Sequence, residues 1–253
     1  MIADRAPGIA GGVVPSERWG AEVLDVVAFD LDDTLWLETS AQLYALEELR
    51  RAWGVEAPLA AFRSVWREAS SRLFDAYLGG HLTHAEQRRR RVRELLRALD
   101  QPYGEDAVER WTLRYTELYE ERWEPLPDAG PTLDRLGAMG LGLAVVTNGD
   151  GDQQRRKLVR MGLLPRLDWV LISGEVGAAK PDPAIFERLL AQSGAPPERV
   201  LFVGDRPDKD VLPAREMGMA ALQIDHSRRA GGPLVVHDLT EVAVRVEGGG
   251  RLS

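Results

Sequence analysis

The chain of 253 residues contains no cysteine. Disulfides and thiolate zinc sites are thereby excluded. It also lacks a basic excess: 32 lysines and arginines face 40 aspartates and glutamates, for a formal net charge of −8. A protein that grips a nucleic-acid backbone wants the opposite balance, so no nucleic-acid polymer is expected as a partner. A small anionic substrate stays open, because a local cation or metal reverses the field inside a cleft. No apolar run nears the roughly 20 residues needed to cross a bilayer, so no membrane is expected either. Residues 1–22 hold Pro7, Pro15 and Gly11-Gly12 with acids interspersed. They lack the basic beginning and long apolar centre of a signal peptide. They read as a flexible leader, residues 247–253 as a flexible tail, and the protein as cytoplasmic.

What is present is ordinary globular material, 44% hydrophobic and 28% charged. The length suits one large domain, or a core with a smaller companion. Short apolar runs occupy residues 26–29, 141–146, 169–172, 200–203 and 220–224. Each ends at a loop rich in Gly, Asp, Asn or Pro, the pattern of strands buried on both faces. Helical patterns lie between the last four. One runs from Gln153 to Met161 and stops at Gly162. Another starts at Asp182-Pro183, an N-cap followed by proline at the first helical position, and closes at Gly194. The alternation predicts an α/β fold with a doubly wound parallel sheet.

Roughly 90 residues separate Leu35 from Pro125, too many for a structureless loop. They are rich in Leu, Ala, Arg, Glu and Trp and poor in Gly and Pro. Leu43, Leu46, Leu49 and Trp53 recur at helical spacing, as do Phe62, Val65 and Trp66, then Leu95, Leu96 and Leu99, then Trp111, Tyr115, Leu118 and Tyr119. An insert of four or more helices is expected. Its arginine run, residues 88–91, reads as a solvated helix face. His81 and His84 read as surface or helix-cap residues, because no carboxylate pattern accompanies them.

The chemistry begins at Val26-Val27-Ala28-Phe29-Asp30-Leu31-Asp32-Asp33-Thr34-Leu35-Trp36. Three acids in four positions repel one another unless something cationic offsets them. Strand alternation turns Asp30 and Asp32 to one side, leaving Asp33 as a turn or helix-cap residue. Open parallel sheets bind ligands beyond the carboxyl ends of their strands, where Asp30 sits. The other strand ends deliver Thr147-Asn148-Gly149 and Gly204-Asp205, with Asp210 five residues further on; Lys180-Pro181 lies between them. These are hard oxygen ligands with one ammonium, a set that suits Mg²⁺ bound together with a phosphate. Phosphoryl transfer needs a nucleophile in line and cations around the equatorial oxygens, and a carboxylate can serve as the nucleophile.

In order, Asp30-x-Asp32-x-Thr34, Thr147-Asn148, Lys180-Pro181 and Gly204-Asp205-x-x-x-x-Asp210 resemble the four signature motifs of the haloacid dehalogenase (HAD) superfamily. The resemblance implies a Rossmann-like core, residues 23–36 and 125–246, with an inserted all-helical cap domain, residues 37–124. Asp30 would be the nucleophile that forms an aspartyl-phosphate, and a Mg²⁺ ligand. Asp32 would be the general acid and then the base, with its backbone carbonyl on the metal. Thr147, Asn148 and Lys180 would hold the phosphate, and Asp205 would be a further metal ligand. Asp210 would reach the metal through water or orient Lys180. The superfamily's dehalogenases lack the second aspartate of the first motif, so Asp32 favours a phosphatase. The segments around Thr147 and Lys180 look like those of the nucleotidase and N-acylneuraminate-9-phosphatase branches. The expected activity is Mg²⁺-dependent hydrolysis of a small soluble phosphate metabolite by a monomer or homodimer. A sugar-phosphate mutase and a catalytically silent binding protein would use the same core. A receiver domain would carry its phosphorylated aspartate later than its acidic pair. Arg206-Pro207 and Lys209 depart from the family pattern and bring extra cations to the last motif.

Overall fold

A computed structural model of the chain describes residues 23–249. The expected leader lies outside them, and so do residues 250–253 of the expected tail. The chain runs β1 (Val26–Phe29), α1 (Glu38–Ala52), α2 (Leu59–Leu78), α3 (His84–Ala98), α4 (Glu105–Glu121), α5 (Ala129–Ala138), β2 (Gly142–Thr147), α6 (Gly151–Arg160), β3 (Trp169–Ile172), α7 (Ser173–Val176), α8 (Pro183–Ser193), β4 (Val200–Gly204), α9 (Leu212–Glu216), β5 (Ala220–Ile224), β6 (Val235–Val236) and α10 (Leu239–Glu247). All pairings are parallel, in the order β3-β2-β1-β4-β5-β6. The α/β parallel sheet expected from the alternation is therefore present. The short edge strand β6 and the helices α5 and α10 were not anticipated.

Alternation along each strand explains why the runs are apolar throughout. Val27, Phe29, Leu143, Val145, Leu201 and Val203 face one core layer, which includes α5 and α10. Val26, Ala28, Ala144, Val146 and Phe202 face the other, against Ile185, Phe186 and Leu189 of α8. With helices on both faces, neither side of the sheet meets water. The ends of α8 follow the sequence signals. The Asp182 carboxylate accepts from the Ala184 N–H, and Gly194 closes the helix in a left-handed conformation at φ 69°.

Helices α1–α4 fill the gap between β1 and α5, as expected. The chain leaves and returns at one place, where the Leu126 N–H donates to the Leu35 carbonyl at 2.9 Å. A capping box at Thr83 and Glu86 starts α3. The insert has no isolated core. Phe62, Leu46 and Leu95 belong to the same apolar cluster as Leu35, Trp36 and Leu133 beside the sheet. Contiguous burial of this kind makes unfolding cooperative. Calorimetry should therefore give one transition. Phe62→Ala should destabilise that transition by about 3–5 kcal/mol; an early, separate melting of the insert would contradict the continuity of the core.

Candidate active site

Parallel register aligns the strand ends. Phe29 is level with Val145 on one side and Val203 on the other. The residues that follow, Asp30, Thr147 and Asp205, therefore emerge at one edge of the sheet. The chain crosses there from β3 to β4 on the far side of β1, so this edge is the switch point at which open α/β sheets bind ligands.

The centre of the site is a buried ammonium between two carboxylates. Lys180 Nζ donates to Asp30 Oδ1 and to Asp210 Oδ1, each at 2.6 Å. Burial alone would lower the Lys180 pKa; Asp210 and Asp30 more than reverse this and hold it above the ordinary value. Asp210's other oxygen accepts the Arg206 N–H at 3.0 Å. Gly204 is obligatory for this geometry, because a Cβ there would overlap the Asp210 carboxylate. Carboxylate oxygens of Asp30, Asp205 and Asp210 lie within 4.8 Å of one another. One ammonium does not offset three such charges. Burial first, then Asp210 and Asp32, push Asp30 up to about 7 against the pull of Lys180. Burial, with Asp30 and Asp210, pushes Asp205 up to about 9. Among the described residues nothing donates a hydrogen bond to Asp205. An oxygen-only cluster short of positive charge, with one carboxylate unengaged, fits a hard divalent cation.

Asp32 is held by different partners. Its Oδ1 accepts from Trp36 Nε1 and from Lys157 Nζ, both at 2.7 Å, and its Oδ2 accepts from Gln154 Nε2 at 2.9 Å. All these contacts are donors, so the arrangement suits the ionised carboxylate. Lys157 is 1% exposed, with its ammonium 4.7 Å from the Trp36 ring centroid and 5.6 Å from that of Tyr119. Gln154 Nε2 also donates to Thr147 Oγ1 at 2.8 Å, which leaves the threonine proton free for a ligand. Asn148 spends its whole side chain on the Lys180 backbone: Nδ2 donates to the carbonyl and Oδ1 accepts the N–H, both at 2.8 Å. It thus acts on the site by fixing the lysine. Asp33 is the expected turn residue, at φ 59°, and accepts the Thr39 N–H in the first turn of α1 at 2.9 Å.

All seven residues singled out from the sequence, Asp30, Asp32, Thr147, Asn148, Lys180, Asp205 and Asp210, line one cavity of about 530 Å³. Gln154 and Lys157 were missed. The available signal was α6 itself. Leu158 and Val159 are its only aliphatic side chains, so part of its polar face had to be buried.

Two readings of the insert are corrected. The arginine run is not uniformly solvated. Arg89 pairs outward with Glu105, at 2.9 Å, and Arg90 is exposed, but Arg88 and Arg91 line the cavity. Three-residue spacing puts those two on one helix face, and that face turns inward. His84 follows the cap residue Thr83 and also lines the cavity rather than the outer surface. Burial, then Arg88, pushes its pKa down to about 4. Lys209 reaches the insert, with Nζ 3.0 Å from Asp75 on α2.

Fold and site define a hydrolase built around a carboxylate cluster at the switch point of a parallel sheet. The family model of the haloacid dehalogenase-like hydrolases matches residues 24–218. The chain is 35% identical to a phosphoserine phosphatase of Thermus thermophilus, over 87% of this chain and 98% of that protein. It is 32% identical to a glyceraldehyde 3-phosphate phosphatase of Methanopyrus kandleri, over 80% of this chain and 84% of that protein. In fold it is similar to the HAD-hydrolase YfnB of Bacillus subtilis, with a TM-score of 0.72 at 20% identity, covering 88% of this chain and 98% of that one. The chain belongs to the haloacid dehalogenase-like hydrolases, among the phosphatases of that family.

Two measurements test the electrostatics. Unfolded carboxyls titrate near 3.8, whereas folded Asp30 and Asp205 hold protons to about 7 and about 9. The folded state therefore binds more protons, and cation-free stability falls as pH rises across that window. A divalent cation should raise Tm more near pH 9 than near pH 5; equal shifts would contradict the charge deficit. Separately, Lys157→Met strands Asp32 and should cost on the order of 3 kcal/mol. Combining it with Asp32→Asn should recover part of that loss in a double-mutant cycle; strict additivity would mean that the pair does not interact.

Proposed function

We propose that the protein is a Mg²⁺-dependent phosphomonoesterase that hydrolyses a small soluble phosphate metabolite through an aspartyl-phosphate on Asp30. The observation that carries this reading is the Lys180-bridged cluster of Asp30, Asp205 and Asp210, facing the same cavity as Asp32 and Thr147. A carboxylate oxygen of Asp30 attacks phosphorus, and the ester P–O bond breaks. The leaving alkoxide takes a proton from Asp32. Water then attacks the phosphorus of the aspartyl-phosphate and gives a proton back to Asp32. Inorganic phosphate leaves and Asp30 is regenerated. The contacts to Asp32 described above match the second half, in which an ionised carboxylate accepts a proton.

Lys180 and the Thr147 hydroxyl supply charge and a proton to the phosphoryl oxygens. Asn148 keeps Lys180 in place. Mg²⁺ would be held by Asp30, Asp205 and the Asp32 carbonyl, and would supply the charge that lets a carboxylate meet a phosphate dianion. Residues 37–124 form the cap over residues 23–36 and 125–246, and the cap side of the cavity selects the substrate. Asp32 separates the chain from the dehalogenase reading. A 2-haloacid dehalogenase of Pseudomonas syringae is nevertheless similar, with a TM-score of 0.59 at 26% identity, over 87% of this chain and 96% of that one.

A generic aryl phosphate with Mg²⁺ provides the assay. Asp30→Asn should abolish turnover while the protein still folds, and Asp32→Ala should lower kcat by about 10²–10⁴-fold. An Asp30→Asn protein as active as its parent would remove the assigned nucleophile.

A further inference from the structure

The side of the cavity formed by the insert carries unused polar chemistry. On α2 and α3 three outward arginines are neutralised: Arg72 pairs with Glu94, Arg89 with Glu105 and Glu109, and Arg93 with Glu105. The inward ones are not. Arg88 and Arg91 line the cavity, and neither forms an ion pair with a described carboxylate. Arg63 and Arg67, in the same wall, are likewise unpaired among the described residues. Four arginines on one cavity wall, none in an ion pair among the described residues, suit an anion that is not part of the chain.

Buried atoms without partners converge on the same place. Among the described residues, Arg91 Nε, Gln87 Oε1 and Ser70 Oγ are buried and make no hydrogen bond. All three side chains line this wall, and Gln87 is only 2% exposed. Buried polar groups are ordinarily satisfied, so a cluster of unsatisfied ones needs an explanation. Arg91 is also preorganised, with its guanidinium carbon 6.0 Å from the Trp66 ring centroid and 5.9 Å from that of Phe74. The aromatic faces hold the planar group without neutralising it. Such a guanidinium is suited to bidentate recognition of a carboxylate or a phosphate. Gln87 Oε1 adds a second requirement. It accepts and cannot donate, which favours a ligand that brings a hydroxyl or ammonium beside its anion; a doubly ionised phosphate has neither.

We propose that Arg91, Arg88, Gln87 and Ser70 form the binding site for the organic half of the substrate, and that this half carries a carboxylate with an adjacent hydrogen-bond donor. The substrates are then phosphate monoesters of small hydroxy or amino acids. This rests on the phosphomonoesterase reading and narrows it. It also divides the compounds named in similar proteins. Phosphoserine carries a carboxylate; glyceraldehyde 3-phosphate and the nucleotides of the pyrimidine 5'-nucleotidase YjjG of Escherichia coli, 28% identical over 81% of this chain, do not.

The test compares O-phosphoserine with O-phosphoethanolamine, which lacks only the carboxylate, alongside uridine monophosphate, a sugar bisphosphate and an aryl phosphate. The expected kcat/KM ratio of phosphoserine to phosphoethanolamine is on the order of 10²-fold or more, because a site built for a polar group rejects the analogue without it. In Arg91→Gln, and independently in Arg88→Gln, that ratio should fall at least tenfold, mainly through KM for phosphoserine. Gln87→Glu, which sets a negative charge against the carboxylate, should lower it as well. A ratio near one in the parent, with the aryl phosphate still turned over, overturns the proposal and leaves the phosphatase reading standing. Preference for the bisphosphate overturns the carboxylate assignment. Silence on every phosphate, the aryl ester included, defeats the phosphatase reading itself.

Discussion

The structure turns on one buried ammonium. Lys180 bridges Asp30 and Asp210 at 2.6 Å on each side, in surroundings where an uncompensated carboxylate is costly. Much of the nearby backbone exists to keep that bridge in register. Asn148 grips both the N–H and the carbonyl of Lys180. Gly204 leaves out the side chain that would displace Asp210. The parallel ladder aligns Phe29 with Val203, so Asp30 and Asp205 follow at the ends of neighbouring strands, one residue apart in register. The compensation is deliberately incomplete, since Asp205 adds a third carboxylate without a protein donor among the described residues. Folding alone would favour replacing such a group, and the deficit fits a hard divalent cation brought from solution.

A second ammonium does a different job. Lys157 is packed among Trp36, Tyr119 and Trp123 and donates to Asp32. It keeps Asp32 apart from the three-carboxylate cluster in partner as well as in place. Trp36 precedes the insert and Tyr119 and Trp123 close it, so the surroundings of Lys157 depend on how the insert packs on the sheet. Tyr119 tightens this link, because its hydroxyl donates to Glu38 at 2.8 Å. Burial, then Asp32, pushes the Glu38 carboxyl up to about 7, with Lys157 opposing. Asp32, the insert and the core thus share one network.

The sheet was legible because its strands are short apolar runs punctuated by turn residues. Residues 26–29, 169–172 and 220–224 fall at the ends of β1, β3 and β5 without adjustment. Strand β6 was not legible: two valines have no periodicity, and only pairing with β5 makes them a strand. The acidic floor of the site was legible for a similar reason, since carboxylates at the ends of apolar strands conflict with packing and call for another explanation. The walls were not. Whether Arg88 and Arg91 or Arg89 and Arg90 face inward depends on the rotation of α3 about its axis, and that is set by contacts with α2 and α4 far away in sequence. Lys157 and Gln154 escaped notice because a lysine on an amphipathic helix reads as solvent-facing until aromatic rings from the insert cover it.

The most direct measurement of the central claim is rapid-quench mass spectrometry of the protein turning over a phosphate monoester with Mg²⁺. The account predicts a transient phosphoryl group on the peptide containing Asp30, formed and lost at rates compatible with turnover. Turnover with no phosphorylated peptide at any quench time, or with the phosphoryl group on another residue, would contradict it.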